Sequence, residues 1–126
     1  MSRLTAELRG RCKVFASQVI RLYIALPKQR EEVRVLGKQF LRSGTSVAAH
    51  AREASRARSD AEFRSKLDGL LQEADESQLW LELLREDCGI TDPTIPTLHK
   101  ESDELIAIFA TMVAKTQRNG EDNDIR

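Results

Sequence analysis

Apolar positions recur every three or four residues in four separate runs of this chain, and that spacing places each run on one face of an α-helix. The first run is Leu8, Cys12, Phe15, Val19, Leu22 and Leu26. It stops at Pro27, because the residue before a proline is pushed out of helical backbone. The second is Val33, Leu36, Phe40, Ser43, Val47, His50, Ala54 and Ala57; the third is Phe63, Leu67, Leu70, Ala74, Ser77, Leu81, Leu84 and Cys88. The fourth, after Asp92-Pro93, is Ile95, Leu98, Ser102, Leu105, Phe109 and Met112. No stretch alternates apolar and polar residues between turn signals as a sheet would. The pattern predicts an all-α protein, an up-down-up-down antiparallel four-helix bundle with helices over residues 4–26, 28–57, 60–88 and 94–117.

The punctuation agrees with short connections. Ser59 and Glu62 form a capping box ahead of the third run, and Cys88-Gly89-Ile90 reads as a glycine C-cap followed by an apolar contact. A tight turn between two long helices makes an antiparallel hairpin. Ser43, Gly44, Ser46, Ala48, Ala49, Ala51 and Ala54 leave the second helix thin. Glycine in mid-helix costs about 1 kcal/mol against alanine, so Gly44 implies a close helix crossing. The hairpin is expected to set Ser43 and Gly44 against Ala74 and Ser77. Buried polar groups need partners. A polar layer of Ser43, His50, Glu53, Glu73 and Ser77 is therefore expected between the second and third helices, with Arg42 or Arg52 reaching Glu73 or Glu76, and Glu53 holding His50. Such a layer fixes helix register.

At 126 residues the chain reads as one domain, with residues 1–118 forming the bundle and 119–126 a disordered tail. No apolar run approaches the roughly 20 residues that span a bilayer, and the first residues lack a signal-peptide core. A soluble, cytoplasmic protein with no membrane partner is expected. Cys12 and Cys88 both fall on core seams, where free cysteine acts as a small hydrophobe. An up-down bundle holds them on the order of 20 Å apart, too far for a disulfide.

Charge changes the picture. Residues 1–58 hold 13 Lys and Arg against 4 Asp and Glu, whereas residues 59–126 hold 7 against 16, so a net charge of zero hides a basic half and an acidic half. Arg30, Arg34, Lys38, Arg42, Arg52 and Arg56 lie opposite the second seam or at its edge, a stripe suited to RNA or DNA phosphates. Asp68, Asp75, Glu82 and Glu86 line the outside of the third helix. Five apolar residues, Leu79, Trp80, Leu83, Ile106 and Ile108, fall off the seams and point to an oligomer interface. A basic half cannot pair with itself across a two-fold axis, so the expected contact is head-to-tail, and such contacts close into rings.

Catalytic constellations are poor. A di-iron bundle needs Glu-x-x-His on two helices, but Val47 and Pro96 stand three residues before His50 and His99. No phosphate loop, zinc cluster or nucleophile-base set appears, and no cofactor is expected. A bundle ribonuclease of the HEPN class places Arg four to six residues before its catalytic His. Arg42 and His50 have seven residues between them. That ribonuclease and a purely protein-binding module stand as alternatives to a non-enzymatic scaffold that binds nucleic acid.

Several motifs carry a family resemblance: Arg42-Ser43-Gly44-Thr45-Ser46-Val47-Ala48-Ala49, Arg52-Glu53-Ala54, Arg56-Ala57, Phe63, Lys66-Leu67, Glu73-Ala74-Asp75-Glu76-Ser77 and Trp80-Leu81-Glu82-Leu83-Leu84. Over residues 10–115 the chain resembles the bacterial four helix bundle proteins. These include proteins encoded in intervening sequences of 23S ribosomal RNA genes, and they are related to the accessory variability determinant of diversity-generating retroelements. The resemblance implies a homopentameric ring without enzymatic activity, and, by the retroelement relative, nucleic acid and a reverse transcriptase as partners. His50 stands where the family usually has asparagine, which touches any role of that amide.

Overall fold

A computed structural model describes the backbone of residues 2–125 and the side chains of residues 2–118. Four helices follow one another, α1 (Ala6–Ala25), α2 (Glu31–Ser55), α3 (Asp60–Glu86) and α4 (Thr94–Ile125), and there is no strand among the described residues. Each helix packs on its predecessor and α1 also meets α4, while the α1–α3 and α2–α4 pairs lie diagonally, without close backbone approach among the described residues. Cross-helix partners run in opposite directions. Arg42 meets Glu76 and Glu53 meets Lys66 between α2 and α3, while Gln78 meets Asp103 and Arg64 meets Thr116 between α3 and α4.

The seams are the core. Phe15, Val19, Val33, Phe40, Val47, Leu67, Leu70, Leu81, Leu84, Ile95, Leu98, Leu105 and Phe109 are all fully buried, with Leu8, Leu36, Phe63 and Met112 packed against them half-buried. Each such leucine, valine, isoleucine or phenylalanine contributes about 1.5–3 kcal/mol relative to exposure. Both cysteines are buried and free.

Helix ends differ from the expected ones for local reasons. α1 starts at Ala6 because Thr5 is its N-cap, accepting from the Leu8 amide. Leu4, one residue earlier, is tucked into the core, and the Arg3 amide donates to the Ser55 carbonyl, tying the N-terminal residues to the end of α2. Leu26 is extended ahead of Pro27, and Lys28 donates to the carbonyls of Tyr23, Ile24 and Leu26, capping α1. Pro27 to Arg30 then form a turn, so α2 begins at Glu31 rather than 28. Ser59 accepts from the Glu62 amide at 3.1 Å, as the capping box requires, but the Glu62 carboxylate accepts from Arg58 rather than from Ser59. α3 ends at Glu86, because Gly89 at φ +70° reverses the chain and lets Ile90 donate to Leu84. α4 runs on to Ile125, through the stretch from 119 where a tail was expected; the side chains of 119–125, and Arg126, lie outside the described residues.

Candidate nucleic-acid interface

The six cations of the helix-2 stripe do not act as one surface. Arg30 pairs with Glu32 at 2.8 Å and donates to the Cys88 carbonyl, which fastens the end of α3. Arg34 pairs with Glu31. Arg42 reaches Glu76 at 3.3 Å and Glu73 at 3.5 Å across the α2–α3 hairpin, one of the arrangements expected for the polar layer. Lys38, Arg52 and Arg56 are exposed and have no ion pair among the described residues.

Arg52 and Arg56 instead join residues of α1. A groove of about 870 Å³ lies between the first half of α1 and the last turns of α2, and Arg9, Lys13, Arg52, Arg56 and Arg58 stand around it. Its floor is low because Ala6, Gly10, Ala48, Ala49 and Ala51 have almost no side chains. Beyond the groove, toward the end of α1, the two helices come close together. An ideal Cβ built on Gly44 would lie 2.6 Å from Val19 Cγ2, and one on Gly37 would lie 3.0 Å from Leu26 Cδ1. Gly37, Gly44 and Ala51, seven residues apart in turn, form the stripe along which α1 packs. The close approach at Gly44 itself is therefore to α1, while the expected small-residue contact with α3 is made by Ser43, whose hydroxyl oxygen lies 2.9 Å from that of Ser77, and Gly69 of α3 meets His50.

The groove's acidic residues are occupied. Glu53 pairs with Lys66 at 2.6 Å, which holds the carboxyl below its ordinary range and raises the lysine. Glu62 serves the cap. Arg9, Lys13, Arg52, Arg56 and Arg58 have no ion pair among the described residues, which leaves the groove strongly positive. Sequence reasoning singled out Arg52 and Arg56 but missed Arg9, Lys13 and Arg58. The four-residue spacing of Arg9 and Lys13 matches that of Arg52 and Arg56 on an antiparallel neighbour, and that was the available signal.

Ser43 and Ser77 are fully buried, with hydroxyl oxygens 2.9 Å apart, and Ser77 also lies 2.8 Å from the Glu73 carbonyl. Ser102 accepts from Gln78 and donates to the His99 carbonyl. Glu53 does not hold His50: it lies with Lys66, and the buried His50 Nδ1 has no hydrogen-bond partner. Of the five apolar residues assigned to an interface, Leu79 is exposed, whereas Trp80, Leu83, Ile106 and Ile108 are half-buried, and Trp80 and Ile106 pack on the core. The sequence reading passed over Val14, Ile20 and Ile24 of α1 and Val35 of α2, all exposed. Burial pushes the Cys12 thiol up to about 12. No group of three His, Cys, Asp or Glu side chains could hold a metal among the described residues, and no helix there is long and apolar enough to cross a membrane.

Comparison with known proteins gives three findings. Among curated proteins, none matches this chain. A crystal structure of a protein of unknown function from the S23 ribosomal protein family of Bacteroides thetaiotaomicron VPI-5482 is similar, with TM-score 0.76 and 35% identity over 84% of this chain and 97% of that one. The model of the family described as 23S rRNA-intervening sequence protein matches residues 7–111. With residues 7–111 matched by the family model and 84% of its length covered by such a structure, the chain belongs to the 23S rRNA-intervening sequence protein family.

Proposed function

We infer that this protein is a non-enzymatic scaffold that binds the phosphate backbone of RNA or DNA through the groove between α1 and α2. The observation that carries this reading is the convergence there of Arg9, Lys13, Arg52, Arg56 and Arg58, from two helices and a turn, none of them in an ion pair among the described residues and outnumbering the two carboxylates beside them, Glu53, which Lys66 already holds, and Glu62. Clustered cations over a floor of alanine and glycine accept a phosphate backbone closely, and they offer no base-reading element, so binding is independent of sequence. In this reading the protomer works in the cytoplasm, assembled with its own copies into a closed ring, a pentamer by the family resemblance. It serves as an accessory to a ribosomal RNA element or to a reverse transcriptase. The committed Arg42 and the enclosed His50 Nδ1 favour the scaffold over a ribonuclease built on that pair.

Replacing Arg9, Lys13, Arg52 and Arg56 together with glutamine tests the reading in an electrophoretic retention assay on structured RNA, single-stranded DNA and duplex DNA. All four side chains are exposed, so folding is retained. Binding by the parent and its loss in the variant are expected. No retention by the parent even at low salt would overturn the nucleic-acid reading.

A further inference from the structure

α1 and α3 are diagonal in the bundle, each flanked by α2 and α4, so their outer faces point away from each other across the molecule. The two faces are built alike and charged oppositely. On α3, Asp68, Gln72, Asp75, Leu79, Glu82 and Glu86 recur at alternating steps of four and three residues, a continuous stripe opposite the core seam. Asp68 and Asp75 have no ion pair among the described residues, and Leu79 between them and Glu86 is 46% exposed. On α1, Ser17, Ile20, Arg21 and Ile24 share the outer face beyond the groove, with Val14 at its edge. Ile24 is 68% and Ile20 41% exposed, and Arg21 has no ion pair among the described residues.

We propose that the α1 face of one protomer docks on the α3 face of a second copy of this chain, apolar residues in the middle and opposite charges around them. Charge complementarity selects this pairing, since α1 on α1 sets Arg21 against like charge and α3 on α3 does the same for Asp68 and Asp75. A contact between two different faces is heterologous, and faces on opposite sides of the bundle let each protomer hold one neighbour on each side. This rests on the ring assembly inferred above and names its surfaces.

A mixing experiment tests it. Ile24→Asp spoils only the α1 face and Leu79→Asp only the α3 face, both at exposed positions, with circular dichroism to confirm that each variant is folded. Each variant alone is expected to sediment as a monomer under conditions where the parent assembles. Mixed in equal amounts, they are expected to form a one-to-one dimer and nothing larger, because the sound α3 face of the first meets the sound α1 face of the second and no sound pair remains. Assembly of either folded variant alone like the parent, or a mixture that stays monomeric, would overturn the proposal. A parent that is itself monomeric at micromolar concentration would overturn the ring reading on which it stands. The groove cations are untouched, so nucleic-acid retention by the same samples reports on that reading separately.

Discussion

At the residue scale, glycines show where helices are in contact and where they are not. Gly44 fills the only space the Val19 methyls leave it, so a single added methyl collides with them. Helix propensity favours Gly44→Ala by about 1 kcal/mol, but overpacking a close crossing costs about 1–3 kcal/mol, and the crossing wins. Gly10, also helical, has nothing within 4 Å of an added Cβ. Gly10→Ala is expected to stabilise by about 0.4–1 kcal/mol through the unfolded chain. Thermal melts of the two variants should therefore move in opposite directions, and a raised melting temperature for Gly44→Ala would show the α1–α2 crossing to be loose. A small-residue stripe says that something comes close without saying what, which is why the sequence alone gave Gly44 the wrong neighbour. Cys12 makes a second residue-scale case. A thiol pushed up to about 12 by burial is protonated and enclosed at pH 8, so iodoacetamide should leave it unmodified until denaturant is added. Rapid labelling of the native protein at Cys12, read by peptide mass, would contradict its place in the core.

At the element scale, the four helices were legible because each seam runs for five or more turns with aliphatic or aromatic side chains on one face. Their ends were less so. The starts of α1 and α2 depend on how Leu4, Lys28 and Arg30 fold back on neighbouring segments, contacts that periodicity does not register. The start of α4 has an electrostatic signature. The Thr94 hydroxyl, at 2.7 Å, and its amide, at 2.9 Å, donate to Asp92, and they hold that carboxyl below its ordinary value of 3.8. A carboxylate with a depressed native pKa contributes stability that is complete above its unfolded value and lost as pH falls through the native one. The melting-temperature gap between the parent and Asp92→Ala should accordingly be full at pH 7 and should narrow below about pH 4. A gap that stays constant down to pH 2 would remove the charge from the cap.

At the scale of the whole molecule, the two halves of opposite charge were plain in the sequence, but which cations remain available was not. Arg34 is neutralised by a neighbour three residues away and Arg42 by a helix thirty residues on, while Arg9 and Lys13 meet Arg52 and Arg56 only once α1 is packed on α2. A stripe read along one helix therefore becomes a groove shared by two. The measurement that separates these surfaces is the salt dependence of nucleic-acid binding. On duplex DNA, log K should fall with log salt at a slope of about −0.9 per phosphate contacted. Arg52→Gln and Lys13→Gln should each flatten that slope by roughly one unit, while Arg34→Gln, whose partner already neutralises it, should leave it unchanged. A slope that flattens on Arg34→Gln and not on Lys13→Gln would place the phosphates along helix α2 and contradict the groove.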